Sequence, residues 1–144
     1  MKLEIKGTII SNNQKWIYDM LDMESTSPRD IVLPENNESI DVIINSGGGD
    51  VYAGSEIYTT LKGYNGTVNV KVVGIAASAA SVIAMAGDKV EISPTAQIMV
   101  HNVASGVFWV IIEILNMKQR FQKVSMYLWQ MLTWTRLERT WTNY

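Results

Sequence analysis

Between Ile40 and Gly87 the chain twice passes from a short apolar run, through glycine, into a helical pattern. In the first pass, Ile40–Asn45 is short and apolar enough to predict a strand buried on both faces of a sheet. We expect this strand to break at the three glycines that follow it, and Asp50 to cap a helix that Gly63 ends. Elements in this order form layers, because each must bury its apolar side against another.

The second pass and the flanking segments extend the same plan. Val68–Val73 predicts a strand, Gly74 a turn, and Ser78–Ala86 a helix of small residues. The remaining expected elements are a strand over residues 2–10, a short helix after Ser11, a loop over Ser25–Ser39, and two short strands, Lys89–Ile92 and Gln97–Val100. The sequence therefore predicts an α/β protein, a layered fold of repeated strand–turn–helix units with right-handed crossovers.

Composition excludes several kinds of function. The chain has 144 residues, 18% of them charged, and a net charge of -2, which gives no electrostatic reason to expect nucleic acid or an anionic membrane as partner. It has no cysteine and one histidine, which excludes thiolate catalysis and a multi-histidine metal site. We find no signal peptide pattern and no apolar run long enough to span a membrane. These features predict a cytoplasmic protein that uses no metal.

Ser78 lies where the predicted strand meets the small-residue helix, with alanine on both sides. Small neighbours leave room for a substrate carbonyl, and the N–H groups at a helix start are suited to hold an oxyanion. Ser78 is therefore a candidate nucleophile. The alternative is that Ser78 or Ser81 merely caps a closely packed helix.

The segment Asn45-Ser46-Gly47-Gly48-Gly49-Asp50 is a candidate binding loop. Three consecutive glycines cost backbone entropy, so a structural requirement for them is expected. Glycine lets backbone N–H groups approach a tetrahedral oxyanion or a phosphate, and it also permits a plain tight turn. The Gly-Lys-Ser/Thr ending of a phosphate loop is absent, which disfavours a nucleotide.

His101 is the only histidine, 23 positions after Ser78, and it follows the predicted strand Gln97–Val100. Histidine is the side chain whose ordinary pKa suits a general base at neutral pH. A single histidine is also commonly structural or simply solvated. On its own, then, this residue leaves both interpretations open.

Together the three segments resemble the proteolytic subunits of the Clp protease family. Gly74–Ser78, with Met85-Ala86-Gly87 downstream, is similar to the family's nucleophile segment, Ile44–Gly49 to its oxyanion loop, and Ser93–His101 to its histidine strand. The family's loop commonly reads Ile-Asn-Ser-Pro-Gly-Gly. Glycine at position 47 and the Ser-Ala-Ala-Ser form of residues 78–81 resemble the phage and prophage head-maturation branch.

The resemblance implies a Clp/crotonase-like fold and a serine-type endopeptidase without cofactors. Ser78 is then the nucleophile, His101 the base, and the N–H groups of Gly48 and Ala79 the oxyanion hole, with Ser81 as the runner-up nucleophile. Relatives cleave polypeptides as homo-oligomeric rings, usually with an ATP-driven unfoldase. The kinship with the crotonase group leaves a CoA-thioester enzyme as one alternative, and a non-catalytic remnant or structural ring subunit as another.

The third member of the triad is unknown. In the family an acid follows the histidine, beyond a long helix. Here no aspartate occurs after Asp88, and the only glutamates after His101 are Glu113 and Glu138. Neither lies in a segment that resembles the family's acidic one. We therefore expect weak or absent activity, because losing the acid from a triad costs on the order of 10⁴ in kcat.

Residues 103–144 do not fit a Clp-like domain formed by residues 1–102. Four of the five tryptophans fall in this tail, Gly106 is its single glycine, and the runs Val110–Leu115 and Met126–Leu137 permit helices. One interpretation is a hydrophobic segment that packs on a partner subunit. The other is a reading-frame shift near Phe108 that has replaced the family's handle region.

The frameshift interpretation makes a prediction about the gene. Relatives continue with a stretch that resembles Gly-Asp-Tyr-Arg-Asp-x-Glu-His-Glu-Ala-Glu. The codons available to Trp109–Phe121, read one nucleotide out of frame, permit Gly-Asp-Tyr-Arg-Asp-Ile-Glu-His-Glu-Ala-Glu-Val, and the genetic code forces its glycine from Trp109-Val110. We expect the nucleotide sequence to encode this stretch in the second frame. An unrelated second frame would leave partner packing as the explanation of the tail.

Overall fold

The computed structural model of the protein describes residues 1–102. Met1–Val100 form one compact unit, and His101 and Asn102 belong to a second. The expected helices and the separate domain over residues 103–144 lie outside the described residues. The elements of the first unit are β1 (Lys2–Ile9), a 3₁₀ turn (Asn12–Gln14), α1 (Lys15–Met20), β2 (Ser25–Thr26), a 3₁₀ turn (Pro28–Asp30), β3 (Ile40–Gly49), α2 (Val51–Lys62), β4 (Val68–Ala77), α3 (Ala79–Ala84), β5 (Lys89–Ile92) and β6 (Gln97–Met99).

The six strands of this unit form one sheet in which every pairing is parallel. β2, β1, β3, β4 and β5 are neighbours in that order, and β6 pairs with the last part of β4, at Ile75–Ala77. Helix α3 contacts β1, β3 and β4, and α2 packs against α3. Parallel strands require crossover connections, which α2 and α3 supply here. The predicted α/β fold is therefore confirmed.

One face of the sheet is buried and the other is polar. Along β3 the exposed Asp41 lies between buried neighbours, so the expectation that this strand is buried on both faces is wrong. On the polar face, Lys2 and Lys6 donate to the Glu4 carboxylate at 2.6 and 2.7 Å and hold the pKa of Glu4 at about 2. The buried face of β3 and β4 forms the core with Ile40, Val42, Ile44, Val68, Val70 and Val72.

Both central strands run further than the sequence pattern predicts. β3 does not break at the glycines, because Gly48 and Gly49 continue its pairing with β1 at Thr8 and Ile9. β4 does not turn at Gly74, because β6 supplies a second partner for its last residues. The predicted loop Ser25–Ser39 also contains the short β2. In each case a partner strand distant in sequence overrides a local breaker signal.

The short helix α1 forms where its spacing predicts it, but none of its residues is buried. Trp16 is 64% exposed and Met20 is 67% exposed. Among the described residues, no helix is both long and apolar enough to cross a membrane.

Helix α2 is fixed at the end that approaches the glycines. The Asp50 carboxylate accepts a hydrogen bond from the Ala53 N–H at 2.7 Å, which confirms the predicted cap. Gly54, one turn into the helix, lies so close to α3 that an added Cβ would come 2.9 Å from the Ala79 Cβ. This contact places the start of α2 against the start of α3, directly after Ser78.

Candidate active site

Ser78 joins β4 to α3 in a backbone conformation that is rare for any residue with a side chain. Its φ is 52° and its ψ is -120°. Non-glycine residues in such regions cost on the order of 1–3 kcal/mol each and cluster at functional sites. A sharp, strained strand-to-helix turn is how serine hydrolases hold a nucleophilic serine clear of the backbone. The Ser78 side chain makes no capping bond to α3, so the interpretation of Ser78 as a helix cap is wrong.

Hydrogen bonds hold the Ser78 backbone on both sides. The Ser78 N–H donates to the Met99 carbonyl at 2.9 Å, which links the candidate nucleophile to the end of β6. The Ser78 carbonyl accepts from the Ser81 N–H at 3.0 Å and from the Ser81 hydroxyl at 2.6 Å. Ser78 itself is half-buried, whereas Ser81 is completely buried. With its hydroxyl buried and donating, Ser81 is poorly placed to act as a nucleophile.

Gly48 lies against the nucleophile segment. A Cβ added to Gly48 would come 2.6 Å from the Ala77 carbonyl oxygen, 2.8 Å from the Ser78 Cβ and 3.0 Å from the Ala79 nitrogen. Its φ of 93° also favours glycine. The structure therefore brings together three of the predicted site residues, Gly48, Ser78 and Ala79.

Ser46, which the sequence did not single out, controls the N–H of Gly48. The buried Ser46 hydroxyl donates to the Gly7 carbonyl at 2.6 Å and accepts the Gly48 N–H at 3.1 Å. In this state the Gly48 N–H is directed at Ser46 rather than left open. An oxyanion that uses this N–H has to share or replace the bond to Ser46. The sequence signal that could have identified this residue is a serine directly before three glycines.

Asn45 is a second residue that sequence reasoning missed. Between paired positions, β4 has three residues, Val73, Gly74 and Ile75, where β3 has only Asn45. The Asn45 Oδ1 accepts the Ile75 N–H at 3.2 Å inside this bulge, and Gly74 leaves the space that the amide occupies. Bulges re-aim a strand and are common beside active sites. This one lies three residues before Ser78.

His101 is exposed and belongs to the second unit. Its Nδ1 lies 2.6 Å from the Asn102 carbonyl oxygen. A carbonyl only accepts, so a neutral His101 carries its proton on Nδ1 and leaves Nε2 with a lone pair, the tautomer that a general base requires. Glu113 and Glu138, the two glutamates that follow His101 in the sequence, lie outside the described residues. Within residues 1–102 no group of three or more His, Asp or Glu side chains is placed to hold a metal ion.

Comparisons with known proteins show which proteins the chain resembles. The chain is 41% identical over 71 residues to the ATP-dependent Clp protease proteolytic subunit of Deinococcus radiodurans, a match that covers 48% of this chain and 35% of that protein. The proteolytic subunit of Ligilactobacillus salivarius is 42% identical over 74 residues, with coverages of 50% and 38%. The chain therefore spans little more than a third of the length of these curated relatives.

A solved structure and a family match extend the likeness beyond these segments. A ClpP1 mutant from Listeria monocytogenes superposes with a TM-score of 0.59 at 29% identity, covering 83% of this chain and 67% of that one. The family described as Clp protease matches residues 13–138, which is most of the sequence. The chain belongs to the Clp protease family.

Proposed function

We propose that this chain carries the catalytic centre of a serine-type endopeptidase, with Ser78 as its nucleophile. The observation that carries the proposal is the left-handed backbone of Ser78 at a strand-to-helix turn, with the Gly48 backbone packed against it. Strain of this kind persists only where the surrounding structure over-determines it. Here the Ser78 backbone is held by its bond to Met99, by the bonds from Ser81 and by the contact with Gly48.

In the proposed reaction the Ser78 Oγ attacks a peptide carbonyl while the Nε2 of His101 takes the hydroxyl proton. The carbonyl oxygen becomes an oxyanion, which the Ala79 N–H stabilises together with the Gly48 N–H, whose bond to Ser46 the oxyanion shares or replaces. Collapse of the tetrahedral species breaks the C–N bond, and His101 returns the proton to the leaving amine. Water then hydrolyses the acyl-enzyme by the same steps, releasing the acid and free Ser78.

The lack of an identified triad acid lowers the rate that we expect. The bond from the His101 Nδ1–H to the Asn102 carbonyl selects the correct tautomer, but a neutral carbonyl stabilises the imidazolium less than a carboxylate does. Loss of the acid costs on the order of 10⁴ in kcat in a serine triad. We therefore propose slow acyl transfer for this chain rather than efficient turnover.

The substrate and assembly follow from the family and are part of the proposal. The substrate is a polypeptide, the functional form a homo-oligomeric ring in the cytoplasm, and an ATP-driven unfoldase a candidate partner. Gly47 in place of the family's proline, with the Ser-Ala-Ala-Ser segment, supports a place in the phage head-maturation branch. An added Cβ at Gly47 would meet no atom within 4 Å, so the local structure has room for a side chain at this position.

Labelling with a fluorophosphonate probe tests the proposal. We expect slow labelling of the purified protein, with the adduct mapped by tandem mass spectrometry to Ser78 and not to the buried Ser81. Folded protein that remains unlabelled would instead support a non-catalytic remnant or structural subunit. Saturable binding of an acyl-CoA without labelling would support the thioester alternative.

A further inference from the structure

Ser81 is a completely buried serine whose hydroxyl has a specific task in the structure. Its Oγ donates to the Ser78 carbonyl at 2.6 Å, the shortest of three hydrogen bonds to that oxygen. The other two come from the N–H groups of Ser81 at 3.0 Å and Val82 at 3.4 Å. The last is too long to constrain the carbonyl strongly. The hydrogen bond from the Ser81 hydroxyl is therefore the strongest constraint on the direction of the Ser78 carbonyl.

That carbonyl belongs to the same peptide group as the Ala79 N–H. The group is planar, and the described residues contain no cis peptide bond, so the carbonyl and the N–H point in opposite directions. Fixing the carbonyl toward Ser81 therefore fixes the direction of the N–H, which points away from Ser81. The Ala79 nitrogen is 3.0 Å from the position of a Cβ added to Gly48.

We propose that Ser81 is a positioning residue that holds the Ser78–Ala79 peptide plane and so aims the Ala79 N–H at the oxyanion. The inference rests on the proposed function, in which that N–H stabilises the transition state. An oxyanion donor is effective only when it is oriented before the charge develops. The strained φ and ψ of Ser78 call for a further constraint, because the first-turn helical bonds to this carbonyl are two N–H contacts at 3.0 and 3.4 Å.

The test compares Ser81→Ala and Ser81→Thr with wild type, and uses Ser27→Ala as the matched control. Ser27 is also completely buried, and its hydroxyl donates to Asp30 at 2.9 Å, away from the bonds that hold the Ser78 backbone. We expect Ser81→Ala to lower the maximal rate of fluorophosphonate labelling about 10-fold to 100-fold, with unchanged probe affinity, because the donor is misaligned rather than removed. Ser81→Thr, which keeps the hydroxyl, is expected to restore most of the rate, and Ser27→Ala to leave it unchanged.

A second measurement separates this inference from the proposed function. In Ser81→Ala we expect the carbonyl ¹³C resonance of Ser78 and the amide ¹⁵N resonance of Ala79 to shift, while both stay in place in Ser27→Ala. Unmoved resonances overturn the inference whether or not the wild type is labelled. Moved resonances with an unchanged labelling rate overturn it as well. Moved resonances in a protein that is never labelled overturn the proposed function and support the role of Ser81 in holding the peptide plane.

Discussion

Ser78→Gly is expected to abolish fluorophosphonate labelling and, at the same time, to make the protein more stable than wild type. The substitution removes the Oγ on which the proposed chemistry depends. It also removes the Cβ that makes a φ of 52° with a ψ of -120° unfavourable. Relief of that strain contributes about 1–3 kcal/mol, against which the greater freedom of glycine in the unfolded chain costs about 0.5–1 kcal/mol. No capping bond is lost, because the Ser78 side chain makes none.

Ser78→Ala is the matched control for this prediction. It also lacks the nucleophile, so labelling is expected to be lost equally, but it keeps a Cβ in the strained conformation. Chemical denaturation of the two variants should therefore give Ser78→Gly the higher free energy of unfolding, by up to about 2.5 kcal/mol. A lower free energy of unfolding for Ser78→Gly than for Ser78→Ala would show that residue 78 does not adopt this conformation in solution. Such a result would remove the main observation behind the proposed nucleophile, whatever the labelling showed.

The fold was predictable where local signals agree with one another. The segment from Asp50 to Gly63 has an N-cap, an apolar face and a stop, and the structure forms α2 between them. β5 also forms at its predicted bounds, Lys89–Ile92. The extended ends of β3 and β4 could not be predicted, because glycine is a breaker by itself. Only pairing with β1 and β6, both distant in sequence, keeps those residues in the sheet.

The candidate active site was likewise predictable only in part. Residue types and position made Ser78 a candidate nucleophile, and the resemblance to the Clp family added Gly48 and Ala79. The structure brings these three residues together. The sequence did not reveal the side-chain hydrogen bonds that hold them. These are made by the Asn45 amide in the bulge of β4 and by the Ser46 and Ser81 hydroxyls. Their roles depend on one or two hydrogen bonds each, which leave no pattern of periodicity or composition to detect. The role of His101 and the identity of any acid stay predictions.

The three consecutive glycines allow a sharp test of the site, because their environments differ completely. Gly48→Ala is expected to lower the free energy of unfolding by roughly 2–5 kcal/mol, which combines overpacking of about 1–3 kcal/mol with the cost of a positive φ. The new methyl group would overlap the Ala77 carbonyl and the Ser78 Cβ. We therefore also expect the folded fraction of this variant to lose labelling, since Ser78 or the Ala79 N–H must move.

Its neighbours supply the two controls. Gly47→Ala adds a methyl group that meets no atom within 4 Å, so stability should change by less than about 0.5 kcal/mol and labelling should be retained. Gly49→Ala forces its methyl group onto the Ile9 carbonyl at a φ of 150°, which strains the pairing with β1 but touches no proposed site residue. We expect Gly49→Ala to be unstable yet labelled at the wild-type rate per folded molecule. If Gly48→Ala behaved in the same way, the glycine loop would serve the sheet alone and would have no part in holding an oxyanion.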